Sequence, residues 1–259
     1  ALTAKSQYDS RRFEESPSIL EILNSAGFET WWISTQIQFS AWDTPVSVIA
    51  NFADEQRWLS GLIDEKEQNT LLDGVLVDEL AKIPISNKKR VVFLHMTGTH
   101  ANYKRRYPSE FEHWPIQDKN DRNSDRENAY DNAMYYNDHV WHSIYEMLSK
   151  RSDFQALFVT SDHGEEVRLG MHTPDKELFT WSMVRIPTWV YFSDSYEREH
   201  QDRVNALRIN ASKPWTNDML YEALLGLTGV TGHPFYSEAS DISSLKYDRP
   251  WETLRTIHG

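Results

Sequence analysis

KKRVVFLHMTGTH, residues 88–100, runs from three basic residues into the apolar stretch Val91-Val92-Phe93-Leu94 and out into a polar segment with two histidines. Successive side chains of a strand face opposite sides, so an unbroken apolar run fits a strand covered on both faces. That is the pattern of a parallel sheet with helices above and below. The flanking sequence agrees. SPSILEILNSAG, 16–27, reads as a helix with Ser16 as N-cap, Pro17 in its first turn, an apolar face of Ile19, Leu20, Ile22 and Leu23, and Gly27 as its stop. FETWWIST, 28–35, follows as a short buried strand, and TLLDGVLVDELAKI, 70–83, as a second amphipathic helix.

Further along, residues 105–128 are polar, of mixed charge, and hold Pro108 and Pro115, which reads as a surface excursion. A long helix is predicted over 129–151 and a strand over 156–160. IPTWVYFSDS, 186–195, gives another strand, and TNDMLYEALLGLTGV, 216–230, a capped helix with Gly229 near its end. Alternating strands and helices predict an α/β fold with a mostly parallel sheet sandwiched by helices. The chain has 259 residues and no low-complexity linker, so it reads as one domain, 1–259.

Composition narrows the function. With 39 acidic and 27 basic residues the formal charge is −12, which disfavours general binding to nucleic-acid backbones. An anionic substrate remains open, since one metal ion can reverse the field within a site. There is no cysteine, hence no disulfide, thiolate nucleophile or zinc–sulfur centre among these residues. No apolar run approaches the ~20 residues that span a bilayer. The opening ALTAKSQYDS shows neither an initiating Met nor a targeting pattern, and reads as the interior of a longer chain.

The chemistry gathers where strands end, because open parallel sheets bind ligands beyond their carboxyl edges. VVFLHMTGTH delivers His95 and His100, and LFVTSDHGEEVRLGMHTP, 157–174, delivers Asp162, His163 and His172. Carboxylate with imidazole suits zinc or manganese. Beyond a strand's end the backbone turns, so Asp162 and His163 can reach one ion, with Gly164 easing the turn. The same pair also fits a cap beside a surface histidine, and the residues alone leave both readings open. Glu165 and Glu166 read as a solvated loop or helix start. His95 reads as inward, supporting the site by a hydrogen bond from behind. His113, His139, His142, His200, His233 and His258 read as surface or packing residues. The adjacent Trp31 and Trp32 read as core, while Trp114 and Trp251 lie in polar surroundings.

Taken together, the motifs are similar to a known family. VTSDHGE at 159–165 with MHTPD at 171–175 resembles the alkaline-phosphatase-like superfamily, and within it the sulfatase-domain phosphoethanolamine transferases of bacterial envelopes. LHMTGTHANYKRRYP, 94–108, resembles that family's H-x-x-G-[ST]-H loop and following K-R-Y-P turn. YDNAMYYNDHV, 130–140, IPTWVYFSDSY, 186–196, and SILEILNSAGFETWWIS, 18–34, resemble its helix, late strand and early helix–strand unit in the same order.

The resemblance implies an alkaline-phosphatase/sulfatase-like fold and a zinc-assisted transfer, with manganese as the alternative metal. It implies a phospholipid donor and a lipopolysaccharide acceptor, at lipid A or a core sugar. The chain would be the periplasmic domain of a bacterial inner-membrane protein, joined to the membrane through an N-terminal anchor outside these residues. It implies Asp162 and His163 as metal ligands, and His100 and His172 as histidines that hold the transferred phosphate group or a second metal. The family's early strand with its acidic ligand, and its threonine nucleophile, align before Ala1, so the chain is expected to hold half a metal site. Thr3 falls after the nucleophile position. Where the family often has H-G-P, this chain has His100-Ala101-Asn102. The alternatives are another reaction of the superfamily (sulfatase, phosphodiesterase or phosphoglycerol transferase) and a non-catalytic binding domain.

Overall fold

The computed structural model describes residues 2–4, 16–39, 44–61, 71–116, 122–170 and 179–253. The first unit is helix α1 (Ile19–Ser25) leading into strand β1 (Glu29–Ser34). Ser18, not Ser16, caps α1. Its hydroxyl accepts from Glu21 N while Glu21 accepts from Ser18 N at 2.8 Å, a reciprocal capping box that satisfies two otherwise orphaned donors. Pro17 therefore stands before the cap, where its carbonyl accepts from Ala4 N.

Helix α2 (Thr44–Ala50), strand β2 (Glu55–Trp58), helix α3 (Val75–Ala81) and strand β3 (Arg90–His95) follow. β1 lies between β2 and β3, parallel to both, with Trp31 opposite Glu55 on one side and Val92 on the other. β3 is only half-buried along its length, while five consecutive residues of β1 are buried. The sequence predicted both strands buried, and only β1 is. The reason is position: β1 has a strand on each side, whereas β3 flanks this three-stranded group.

Helix α4 (Arg122–Ser149) begins seven positions before its predicted start, so the excursion is shorter than expected. It runs about 42 Å at 1.5 Å per residue. The excursion is fastened to it: buried Asn132 accepts from the amides of His113 and Trp114 and donates to Trp114 O at 2.8 Å. Strand β4 (Ala156–Thr160), the short helix α5 (Trp181–Val184) and strand β5 (Thr188–Phe192) come next. β5 runs antiparallel to β4, and among the described residues these two form a separate two-stranded sheet beside the parallel three-stranded one. Helices α6 (Asp194–Glu199), α7 (Gln201–Asn210) and α8 (Leu220–Thr228) complete the described order. Gly229 closes α8 with φ 78°, a left-handed cap that glycine adopts without a steric penalty.

The side-chain alternation of β1 divides the core. Trp31 and Ile33 pack with Leu76, Leu80, Val140, Ile144, Leu157 and Val159, from α3, α4 and β4. Trp32 points the other way, stacked on Phe93 at 5.6 Å and packed with Leu20, Leu23, Tyr221 and Leu225 of α1 and α8. Helices thus cover both faces, as the sequence predicted, and the paired tryptophans are core residues. No helix among the described residues is long and apolar enough to cross a membrane.

One buried acid gives the fold a pH signature. Glu222 on α8 has its carboxyl pushed up to about 7 by burial, aided by Asp218 and Asp241. A raised carboxyl takes up a proton more readily folded than unfolded, so its contribution is full below about pH 4.5 and fades as pH rises through about 7. Glu222→Gln should flatten the stability profile between those limits and raise stability at pH 8 by roughly 2–3 kcal/mol. Urea unfolding at both pH values checks this; a profile unchanged by the substitution would contradict it.

Candidate active site

Two loops leave the carboxyl ends of β3 and β4 on the same side of the molecule. In the second, Asp162 and His163 follow the last residue of β4, Thr160, by two and three positions. His163 Nε2 stands 3.8 Å from Asp162 Oδ2, so the two metal-seeking atoms are neighbours. The Asp162 side chain is 86% exposed and the His163 side chain 29%. His163 Nδ1 is 2.9 Å from Gly164 O. A carbonyl only accepts, so Nδ1 carries the hydrogen, and the tautomer this bond selects in a neutral ring has its lone pair on Nε2. Asn217, just before α8, donates to Asp162 O at 2.5 Å, and Ser161 Oγ donates to His163 O at 2.7 Å.

Gly164 is required for a reason other than the predicted one. Its φ is not in the left-handed region. Instead it is pressed against the chain before β5: its amide donates to Met183 O at 2.9 Å, and a Cβ there would fall 2.0 Å from Ser182 O. The loop is also fixed on its far side. Arg126 of α4 donates to Val167 O and Arg168 O, and Arg168 pairs with Glu127.

The first loop carries His100, which is exposed. It starts at a knot formed by Asp73, a residue 6% exposed just before α3. Asp73 accepts the Thr35 hydroxyl, Thr97 N at 3.0 Å and Gly98 N at 2.7 Å. Thr35 follows β1 and Thr97 follows β3, so one carboxyl joins two strand ends to a helix start. Burial pushes this carboxyl above its ordinary value, while its donors and the charge of Arg106 pull it down. His95 is half-buried, with Nδ1 3.0 Å from the Oγ of buried Ser34 on β1.

A cross-link joins the loops. Tyr103, in the turn after His100, donates its hydroxyl to Glu165 Oε2, two residues beyond His163. Tyr103 also meets Tyr130 of α4 edge-on at 5.2 Å, and burial raises both phenols. Glu165 is therefore a tie and not the solvated loop residue predicted. Glu166 is bound as well, accepting Ser182 Oγ at 2.6 Å.

The structure brings Asp162 and His163 side by side. Among the described residues they form no cluster of three or more His, Cys, Asp or Glu arranged for a metal, so His100 does not join them as a third ligand. His172 lies outside the described residues, with the rest of 171–178. Thr3 is buried and bridged to Ser18, away from solvent. A carboxylate and a tautomer-fixed imidazole make a donor pair suited to zinc. Sequence reading missed Asp73, Tyr103, Arg106 and Asn217. Only Asp73 carried a signal, an acid set among the apolar residues of LLDGVLV.

The close packing at Gly164 yields a test. Gly164→Ala should displace the Asp162–His163 loop and cost about 1–3 kcal/mol. Gly232→Ala, where a Cβ meets nothing within 4 Å, should be silent. Urea unfolding with histidine NMR reads both; equal behaviour of the two variants would refute the packing argument.

The sulfatase family profile matches residues 2–230. The phosphoethanolamine transferase EptC of Escherichia coli O18:K1:H7 is 29% identical over 218 residues, 77% of this chain and 36% of that protein. The Kdo(2)-lipid A phosphoethanolamine 7''-transferase of Salmonella typhimurium is 29% identical over 174 residues, 62% of this chain and 31% of that protein. This chain thus spans about a third of the length of these curated relatives. Among solved structures, the C-terminal periplasmic domain of E. coli EptC in complex with Zn superposes with TM-score 0.80 at 23% identity, covering 96% of this chain and 71% of that one. The integral membrane protein EptA of Neisseria meningitidis superposes with TM-score 0.75 at 23% identity, covering 93% of this chain and 46% of that one. The fold is the alkaline-phosphatase/sulfatase-like α/β arrangement, and by the profile match over most of its length the chain belongs to the sulfatase family.

Proposed function

We propose that residues 1–259 are the sulfatase-like catalytic portion of a zinc-dependent phosphoethanolamine transferase, held in the periplasm by a membrane anchor elsewhere in a longer protein. The donor is a phospholipid and the acceptor a lipopolysaccharide, at lipid A or the core. The observation that carries this reading is the Asp162–His163 pair at the end of β4, cross-linked through Glu165 and Tyr103 to the His100 loop. Relatives named as phosphoethanolamine transferases, and a similar fold solved with Zn, support it.

In this reading Asp162 and His163 hold the metal, with the Gly164 carbonyl keeping the His163 ring in the ligating tautomer. Zinc bound there supplies Lewis-acid stabilisation of charge on phosphoryl oxygens. His100 and His172 contact the transferred phosphate group and add positive or hydrogen-bonding stabilisation. Two displacements at phosphorus complete the transfer. A threonine oxygen of the longer protein first replaces the diacylglycerol, and an acceptor oxygen then replaces the threonine. The breadth of the family profile favours one competing reading, hydrolysis of sulfate esters.

Full-length His163→Ala and Asp162→Asn should each lose at least about a hundredfold in transfer from phosphatidylethanolamine, with reduced zinc content and little change in thermal midpoint. Transfer by His163→Ala at the normal rate would end the assignment. Turnover of a sulfate ester, with none of phosphatidylethanolamine, would move the chain to the sulfatase reaction.

A further inference from the structure

The segment from Thr97 to Asn102 is gripped at both ends by opposite charges. At its start, the two oxygens of Asp73 accept the successive amides of Thr97 and Gly98. At its end, Arg106 Nε donates to His100 O at 3.0 Å and to Ala101 O at 3.2 Å, and Arg106 Nη2 donates to Ala101 O at 2.8 Å. An anion therefore takes the N–H groups and a cation takes the C=O groups of one short loop. The two charges also attract each other. Between them the backbone is left-handed twice, at Gly98 (φ 59°) and at Asn102 (φ 63°). Glycine takes this conformation freely, whereas at Asn102, a non-glycine residue, the surroundings must hold it. His100 sits between these points, its amide donating to Thr97 O at 3.3 Å and its side chain exposed.

We propose that Asp73 and Arg106 are positioning residues that clamp this loop and set where His100 meets the transferred group. The proposal rests on the role given to His100 under the proposed function. Neither residue touches the Asp162–His163 pair in any described contact, and each acts through the backbone of the loop. Lysine is a poor replacement for Arg106, because its single nitrogen cannot reproduce the planar Nε and Nη2 pair that grips Ala101 O while Nε also reaches His100 O. Asparagine cannot replace Asp73, because its amide nitrogen would face a donor where an oxygen now accepts.

The test uses the full-length protein, phosphatidylethanolamine as donor, and Arg106→Lys and Asp73→Asn alone and combined with His100→Ala. Each single variant should lower kcat at least about tenfold, with KM within about threefold and zinc stoichiometry kept. In the His100→Ala background neither should lower kcat further. Histidine NMR should show the His100 ring signals shifted or broadened in both variants and those of His163 unmoved. An additive loss in the His100→Ala background would overturn the proposal. So would a joint collapse of His163 signals, zinc content and thermal midpoint in Arg106→Lys. If His100→Ala alone transfers normally, its proposed role fails, and the NMR arm then decides the clamp by itself: unmoved His100 signals would overturn it.

Discussion

A parallel sheet ends in a row of backbone groups with no further strand to receive them, and buried groups of this kind need partners. Here the problem is met by one buried side chain. Asp73 reaches from the start of α3 to the residues that follow β1 and β3, and accepts from both. The sheet interior, the helix start and the His100 loop share that acceptor. Beside it, Ser60 donates to Thr35 O, and Gln36 donates to Met96 O at 2.7 Å. Removing the central carboxylate would orphan the Gly98 amide and leave Thr97 N with only the Thr35 hydroxyl at 3.2 Å, a larger loss than one surface bond.

The placement of the metal-seeking pair is equally a matter of packing. Nothing intrinsic to Asp-His-Gly aims two side chains the same way. The aim comes from the carbonyl of Ser182, which leaves no space beside Gly164, and from Arg126 and Glu127 on α4, which hold the rest of the loop. α4 in turn is seated by Ala133, Val140 and Ile144 against the face of the sheet that carries Trp31 and Ile33. Hydrophobic burial thus fixes a helix, and the helix's polar residues fix the loop.

Much of the fold was legible because it follows from periodicity. The apolar runs of β1, β3 and β4, and the 3.6-residue stripe of α1, survive intact in the structure. What escaped were elements with weak patterns: α2, the short strand β2 (EQRW), and α6 and α7, whose sequences DSYEREHQDRVNALRIN are mostly polar. The antiparallel direction of β5 was also hidden, since a strand's sequence does not state its polarity. At the site, Asp162 and His163 stood out by residue type and by their place after a strand. Asp73, Tyr103 and Arg106 did not, because their meaning lies in partners 24 or more residues distant, or in backbone carbonyls that every residue possesses.

The bond between Tyr103 and Glu165 spans 62 residues of chain, with the whole of α4 in between. Closing so long a loop costs entropy before any contact returns it, and here the return needs α4 already docked. The two halves of the site therefore meet late in folding, after the sheet and its helical cover exist. By the same logic they part early under heat or denaturant, so that binding competence disappears while most of the core is still intact.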